Sequence, residues 1–359
     1  MTNTITRPDL DQRKLDEFMG TAIGDLSSTV SAALTVIGDQ LGLYRSLAAA
    51  GPSTVEELAK ATGTAVAYLR PWTANQAAGG YLSYDTSTER FYLTTEQAAV
   101  LADEDSPNFF PGAMQLALAT IRSLPQIQER FSTGKGFGWH EHDRDLFVGT
   151  ERFFRPGYAV DLVPNWLPAM DGVVETLTQG AVVADVGAGH GASTILMAQA
   201  FPNSEFIGSD YHEASMVVAR RRAETAGVAA RVSFETHDAT ELPAAAYDLV
   251  TMFDCLHDMG DPTAAARAVR RSLHPGGVFL LVEPAAGDRL ADNLNPLGRL
   301  FYAASTMVCT PASLAQPGGA ALGPQAGPAV LTRVLNEAGF TDVSVVYRSP
   351  VNLVFQARS

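Results

Sequence analysis

The stretch that most constrains this chain is an apolar run that ends in three alternating glycines. Residues 182–186 are β-branched or small apart from Asp185, the loop 187–191 reads Gly-Ala-Gly-His-Gly, and residues 194–198 are mostly apolar. This order predicts a buried parallel strand, a tight loop and a helix. The spacing G-x-G-x-G differs from the G-x-G-x-x-G of dinucleotide sites, which seats a pyrophosphate at the helix N-terminus. The acid before the loop suits a cationic ligand better than a diphosphate.

Acidic side chains follow at the ends of the next two predicted strands. Residues 204–210 read as a second strand that ends in Asp210, where a carboxylate can accept two hydrogen bonds from a ribose diol. A third strand, 231–235, leads to Asp238, which can accept a hydrogen bond from an adenine amino group. Ligands of open α/β sheets bind at the carboxyl ends of the strands. The glycine loop and both acids are therefore predicted to line one site.

Five elements, in order along the chain, resemble those of the class I S-adenosylmethionine-dependent methyltransferases: 185–191, Asp210, 237–239, 247–250 and 273–277. The resemblance implies S-adenosyl-L-methionine as cofactor and an α/β fold, a Rossmann-like, doubly wound sheet of seven strands with an antiparallel last strand. It places Asp185 near the cationic part of the cofactor, Asp210 at the ribose, Asp238 and Ala239 at the adenine, and Gly187, Ala188, Gly189, Tyr211, Phe253 and Asp254 around them. The alternative is a nucleotide-free α/β domain whose acids are merely solvated.

The N-terminal region predicts a mainly α-helical domain that contains a winged helix. Apolar residues recur at helical spacing over 26–41, and Thr54 and Glu57 have the spacing of a capping box at the start of a short helix. A second helix follows Thr64, and the segment 81–93 has the pattern of a β-hairpin. Helix, turn, helix and hairpin in this order predict a winged helix.

Charge helps to decide between DNA binding and dimerisation as the role of this module. The predicted recognition helix, 64–80, has a single cation, Arg70, whereas a DNA reader needs several Lys or Arg side chains at phosphates. The chain also has a net charge of −14, whereas binding to a nucleic acid or an anionic membrane requires a basic surface. The module resembles the dimerisation domain of two-domain small-molecule O-methyltransferases, including the caffeate type. This resemblance implies a homodimer, and the charge predicts that neither a nucleic acid nor a membrane is a partner.

Three domains are predicted: the winged-helix domain 1–105, a helical linker that can double as a lid over 106–165, and the cofactor-binding domain 166–359. Within the linker, the loop 132–139 is rich in glycine and aromatic residues, a composition found in mobile linkers and in ligand-binding loops. The run 140–143 offers four metal-ligating side chains, but consecutive residues cannot all converge on one ion. No metal is predicted.

A Leu-His-Asp run follows the fourth predicted strand, which ends at Phe253. Plant-type O-methyltransferases carry Leu-His-Asp-x-x-Asp at this position, and the resemblance implies that His257 is the base that deprotonates the acceptor hydroxyl, with Asp258 and Asp261 matching the acids. A neutral imidazole suits the removal of a phenolic proton at about pH 7. The alternative is a histidine that only packs or donates a hydrogen bond, with catalysis by alignment of the reactants.

The segment 284–328 is a long insertion after the fifth strand of the predicted sheet. Uninterrupted loops of such length are rare and usually functional, so we expect a helical cover over the acceptor site. Tyr158 and Trp166 are further candidates for the pocket wall, although core packing is the usual role of aromatic side chains. A hairpin over 343–356 closes the chain and supplies the antiparallel last strand.

These features predict methyl transfer from S-adenosylmethionine to a small, apolar or aromatic acceptor, at oxygen. The alternatives are a transcriptional regulator that binds S-adenosylmethionine and uses the winged helix, and a catalytically silent relative. Residues 1–12 are polar, and no apolar run approaches the roughly 20 residues of a membrane helix. Cys255 and Cys309 lie far apart and lack the spacing of a metal site. Two separate thiols fit a reducing compartment, so a cytoplasmic location is predicted.

Overall fold

The structure, a computed structural model, describes residues 10–358, which form two compact units divided between Leu118 and Ala119. The elements before the division are α1 Gln12–Gln40, α2 Leu43–Ala50, α3 Val55–Thr62, α4 Val66–Ala78, β1 Ser83–Asp85, β2 Arg90–Tyr92 and α5 Thr95–Leu101. Helix α6, Pro111–Arg122, crosses the division.

The N-terminal unit has the predicted winged helix. Thr54 caps α3: its Oγ1 accepts from the Glu57 amide at 3.2 Å, while Oε2 of Glu57 accepts from the Thr54 amide at 2.9 Å. This reciprocal pair satisfies two amides that the first turn of the helix leaves free. β1 and β2 pair antiparallel as the wing. Tyr44 and Trp72 are buried against each other and join α2 to α4.

Helix α1 is longer than the predicted apolar stripe and presents large apolar side chains to solvent. The exposed ones are Phe18, Met19, Ile23, Leu26, Val30 and Ile37, followed by Leu41 at the C-cap. Within residues 10–358, α1 is the one helix long and apolar enough to cross a membrane by length and composition. The sequence predicts no such segment, because small residues separate the large apolar ones and no uninterrupted apolar run forms.

The C-terminal unit holds the large sheet and its helices. Its strands are β3 Val182–Val186, β4 Glu205–Asp210, β5 Val232–Thr236, β6 Tyr247–Phe253, β7 Leu273–Pro284, β8 Asp342–Arg348 and β9 Asn352–Arg358. Its helices are α7 Leu124–Thr133, α8 Arg144–Asp161, α9 Val173–Gln179, α10 Ala192–Ala200, α11 Glu213–Thr225, α12 Pro262–Ser272, α13 Pro296–Ala304, α14 Thr310–Leu314 and α15 Pro328–Glu337.

The seven strands lie in the order β5-β4-β3-β6-β7-β9-β8, parallel except for β9, which runs antiparallel to both neighbours. This confirms the predicted doubly wound sheet and its antiparallel last strand. Val186, at the end of β3, pairs with Ser209 of β4 and Met252 of β6. The carboxyl ends of these strands are therefore level. The chain leaves β3 toward β4 and β5 and returns to β6 on the other side, and this reversal opens the crevice in which such sheets bind ligands.

The core has one hydrophobic cluster on each face of the sheet. Met197, Phe206 and Met216 belong to the first, and Val269 and Phe355 belong to the second. Both faces of the parallel strands are thus covered, which explains why β3 and β6 are almost continuously apolar.

Candidate functional site

A cavity lies at the carboxyl ends of β3, β4, β5 and β6. The volume of this cavity is about 210 Å³. The predicted cofactor residues that line it are Gly187, Ala188, Gly189, Asp210, Tyr211, Asp238, Ala239, Phe253 and Asp254. Asp185 and His257 are not among its lining residues.

Two glycines of the loop after β3 are required by their backbone and their neighbours. Gly187 and Gly191 have φ angles of +75° and +79°. A Cβ at Gly187 would lie 2.7 Å from Sγ of Cys255, and one at Gly191 would lie 2.6 Å from the ring of Phe234. Such contacts are too short for a side chain. The loop therefore passes closely between β4, β5 and β6, and at its glycines it exposes backbone to the cavity.

Asp185 lies beneath this loop and is fully buried. Its Oδ2 accepts hydrogen bonds of 2.6 Å from the hydroxyls of Ser193 and Thr194, and its Oδ1 accepts one of 2.9 Å from Thr251. Burial raises the pKa of this carboxyl, and the three hydroxyls oppose that rise. The carboxylate thus ties the first turn of α10 to β3 and β6 instead of facing the cavity, because its oxygens are occupied by these hydroxyls. Sequence reasoning found the residue and missed its three partners.

Asp210 ends β4 at the cavity and holds the loop from the other side. Its Oδ2 accepts from the amide of Gly189 at 3.1 Å, and its Oδ1 accepts from the amide of His212 at 2.9 Å. Burial raises its pKa, against the lowering effect of these amides. A carboxylate has about four lone-pair positions, so two remain for a ribose diol. Asp238, at the end of β5, is exposed and accepts from Thr240.

Asp254 follows β6 with a φ of +51°, a strained angle for a residue with a side chain. Its carboxylate accepts from the Tyr158 hydroxyl at 3.1 Å and from Nδ2 of Asn352 at 3.2 Å. Burial, with the nearby Glu283 carboxylate adding to it, raises the pKa of Asp254 to about 7. A buried carboxylate of this kind gains most from a cation placed in the cavity.

The remaining wall is aromatic and comes mainly from α8 and the segment before it. Trp139, Phe147, Phe154 and Tyr158 line the cavity. Phe147 stacks on His212 with ring centroids 4.4 Å apart. Tyr158 fits its prediction as a pocket wall, whereas Trp166 is fully buried in the core. The sequence did not indicate Phe147 and Phe154 as pocket residues, because aromatic residues at helical spacing give the same pattern whether they face a pocket or a core.

His190 also lines the cavity and carries an unsatisfied polar atom. Its side chain is buried, and its Nδ1 has no hydrogen-bond partner. Burial lowers its pKa to about 4, so the ring is neutral and can donate or accept one hydrogen bond at this atom. Together with a loop of exposed backbone and two acids at strand ends, this orphaned atom fits a bound nucleoside such as that of S-adenosylmethionine.

His257 lies on the short turn 256–258 behind the cavity wall and is 4% exposed. Its Nδ1 is 2.5 Å from Oε2 of Glu283, and its Nε2 is 3.2 Å from Oδ1 of Asp258. Burial lowers the pKa of the imidazole, but the two carboxylates outweigh this effect and hold the pKa well above its usual value. In this arrangement the ring keeps both protons at neutral pH. The sequence did not indicate Glu283, whose only signal was an acid at the end of an apolar strand.

Comparison with known proteins agrees with this architecture. Residues 177–339 match the family described as a methyltransferase domain, and residues 29–103 match the Rv2258c-like winged HTH domain. A ubiquinone biosynthesis O-methyltransferase of Bordetella avium is 33% identical over 131 residues, which are 35% of this chain and 51% of that protein. The 27-O-demethylrifamycin SV methyltransferase of Amycolatopsis mediterranei is 39% identical over 119 residues, 31% of this chain and 43% of that one. The chain thus spans about half or less of these curated relatives.

Solved structures share the fold over the whole chain. The mitomycin 7-O-methyltransferase superposes with a TM-score of 0.68 at 20% identity, over 97% of this chain and 100% of that one. Human N-acetylserotonin methyltransferase in complex with S-adenosylmethionine gives 0.68 at 17% identity, over 100% and 99%. The chain is therefore a two-domain protein that carries a methyltransferase domain behind an N-terminal winged helix-turn-helix domain.

Proposed function

We propose that this protein transfers a methyl group from S-adenosylmethionine to an oxygen of a small, apolar or aromatic acceptor. The observation that carries the proposal is one cavity that joins the predicted cofactor residues to an aromatic wall. One relative with a partial match is named as an O-methyltransferase and another as a methyltransferase of 27-O-demethylrifamycin SV, which favours oxygen as the acceptor atom. The cofactor supplies an activated methyl group on a sulfonium.

Each part of the cavity has a distinct role in this proposal. Asp210 accepts from the ribose hydroxyls, and Asp238 with Ala239 contacts the adenine. The Asp254 carboxylate lies toward the cationic end. The aromatic side chains from α8 exclude water and hold the acceptor flat against the methyl group. Gln316, from the insertion 284–328, also lines the cavity and supports the prediction that this insertion covers the acceptor.

Alignment of the acceptor with the sulfonium supplies most of the rate in this account. Well-oriented reactants can gain roughly 7–11 kcal/mol relative to free ones in water. His257 holds its protons between two carboxylates, so it can accept a further proton only after losing one. Its role as the base stays a prediction. Substitution of His257 distinguishes a mechanism that needs a base from one that depends on alignment of the reactants alone.

A screen of phenols, amines and polyketide-like compounds, scored by the appearance of S-adenosylhomocysteine, tests the reaction. With an acceptor in hand, a catalytic base predicts that His257→Ala lowers kcat by about 10²–10⁴-fold, with a smaller loss at high pH for a phenol. A loss below about tenfold leaves alignment as the source of the rate. Failure of every acceptor in a protein that binds the cofactor would favour the catalytically silent alternative.

We also propose that the protein is a cytoplasmic homodimer that pairs through α1. Exposed residues Met19, Ile23, Leu26, Val30 and Ile37 recur at spacings of three, four and seven, the pattern of a helix that pairs with another helix. A second copy of the chain is the occupant that this stripe fits. In the winged helix, Arg70 is paired with Glu56 at 2.8 Å, which disfavours the regulator alternative because this cation already has a partner.

A further inference from the structure

The acceptor side of the cavity has polar side chains that are either acidic or uncharged. By acceptor side we mean the lining contributed by α8, by Trp139 before it, by residues 258–259 after β6 and by Gln316. All residues that line the cavity lie within the described range, and five of them are Asp or Glu, while none is Lys or Arg. The polar residues of the acceptor side are Trp139, Thr150, Glu151, Tyr158, Asp258 and Gln316.

Cations that contact the acceptor side are paired with its own carboxylates. Glu151, which is 8% exposed, has its carboxylate 2.6 Å from Nη1 of Arg222 and 3.3 Å from Nε of Arg155. Asp258 pairs with Nε2 of His257 at 3.2 Å. These pairs leave no cation in the cavity lining with which an anionic acceptor could form an ion pair.

Aromatic hydrogen-bond donors on the acceptor side are also engaged within the protein. Nε1 of Trp139 donates to Oδ2 of Asp258 at 2.9 Å, and the hydroxyl of Tyr158 donates to Oδ2 of Asp254 at 3.1 Å. Both of these donors are therefore already used on carboxylates, and each presents mainly its ring to the cavity.

The uncharged polar side chains of the acceptor side are engaged in the same way. Nε2 of Gln316 donates to two backbone carbonyl oxygens at 2.9 and 3.0 Å, and its Oε1 accepts from the amide of Gly260 at 3.1 Å. Oγ1 of Thr150 donates to the carbonyl oxygen one turn earlier in α8 at 2.7 Å. An anionic group placed here would find neither a counter-ion nor an unused side-chain donor.

Histidines of the cavity do not supply the missing positive charge. Burial lowers the pKa of His190 to about 4 and also lowers the pKa of His212, so both rings are neutral at about pH 7. His237 follows β5, at the proposed adenine end, and lies 3.8 Å from a carboxylate oxygen of Glu235. Arg144, at the start of α8, is exposed and does not line the cavity.

We infer that the methyl acceptor is a planar aromatic compound that carries no carboxylate, phosphate or sulfate group. This inference rests on the proposed function, because it concerns the acceptor of that reaction. An anion would leave water for a site whose carboxylates repel it and whose donors are occupied, and burial of an unpaired charge is costly. A neutral aromatic compound loses little on entering and gains contact with the aromatic wall. The acceptor side thus selects its ligand partly by rejecting negative charge.

Three probes of nearly equal shape and different charge test the inference: hydroxycinnamate, hydroxycinnamamide and hydroxycinnamylamine. Their Kd values are measured by ligand-observed NMR with S-adenosylhomocysteine present, whose sulfur is neutral, so the titration needs no turnover. We expect the amide and the amine to bind and the Kd of the carboxylate to be at least about tenfold higher than that of the amide, because the buried anion lacks a partner.

Glu151→Gln gives the inference a second, independent readout. The substitution removes one carboxylate of the acceptor side and releases Arg222 and Arg155 from it, so the Kd ratio of carboxylate to amide should fall by roughly threefold or more. Glu175→Gln is the matched control, because Glu175 is an exposed acid of α9 that does not line the cavity, and it should keep the wild-type ratio.

Each contrary outcome has a distinct meaning. A carboxylate that binds the wild type as tightly as the amide, no binding of any of the three probes, or a ratio unchanged in Glu151→Gln would each overturn the inference. Failure of the proposed function would appear elsewhere, as the absence of S-adenosylhomocysteine formation with every acceptor, because the order of the three Kd values does not depend on methyl transfer.

Discussion

Asp254 is the residue at which both the backbone and the electrostatics of the site are unusual. It combines a φ of +51° with a buried carboxylate whose pKa is about 7, raised by burial and by Glu283. The unfolded value is about 3.9, so the folded chain binds the extra proton between these values and loses stability from this group as the pH rises through 7. A cation bound in the cavity would offset this loss of stability, because it would stabilise the ionised carboxylate.

Cofactor affinity should therefore rise with pH. S-adenosylmethionine carries a sulfonium and favours the ionised Asp254, so its Kd is expected to fall between about pH 6 and pH 8, by at most about tenfold per unit below the pKa. S-adenosylhomocysteine, whose sulfur is neutral, should show a shallower slope. Calorimetry across this range on the wild type and Asp254→Asn is the measurement. An unchanged slope in Asp254→Asn would assign the titration to another group.

The glycine loop between β3 and α10 shows how much of an element can be predicted from its sequence. The strand, the loop and the helix follow from residue type, because glycine is the residue that most readily adopts a positive φ. What holds the loop was not predictable: Ser193, Thr194 and Thr251 converge on Asp185 from two elements. Their hydroxyls have no sequence signal, because Ser and Thr are equally common on solvated surfaces.

Substitutions within this loop should distinguish the cost of backbone strain at a positive φ from the cost of steric contact with a neighbouring side chain. Gly191→Ala introduces a Cβ 2.6 Å from the Phe234 ring at a φ of +79°, and we expect it to lower the free energy of unfolding by about 1–3 kcal/mol and to weaken cofactor binding. Gly189→Ala is the matched control, because nothing lies within 4 Å of its Cβ position. Urea unfolding of both variants gives the comparison. Equal destabilisation would show that the ring contact is unimportant.

At the scale of the whole molecule, the sequence predicted the sheet, the winged helix and the cavity residues at the strand ends, because each follows from local periodicity or from strand ends. It could not predict contacts between distant segments. Cys309 and His257 are 52 residues apart, and only the path of the insertion brings them together. The length of α1 was also missed, since its small residues carry no apolar signal.

Self-association through α1 is the prediction that belongs to this scale. The double variant Ile23→Glu, Leu26→Glu places charges on the apolar stripe and should convert a dimer to a monomer in light scattering, because buried unpaired charge is costly. Ser28→Glu, on the opposite face of the helix, is the control and should stay dimeric. A wild type of monomeric mass would contradict the proposal, and flotation of the wild type with lipid vesicles would instead assign the stripe to a membrane.

Cofactor binding is the central claim, and calorimetry with S-adenosylmethionine and S-adenosylhomocysteine tests it most directly. Asp210→Ala removes the carboxylate proposed to bind the ribose and should raise both Kd values by roughly 10–100-fold, as expected for two hydrogen bonds to a charged group. Glu205→Ala is the matched control, since Glu205 is the exposed acid at the opposite end of the same strand, and it should bind as the wild type does. Saturable binding of both ligands to the wild type and to Glu205→Ala, with both Kd values raised only in Asp210→Ala, is the predicted result. No heat with either ligand in the wild type would contradict the account.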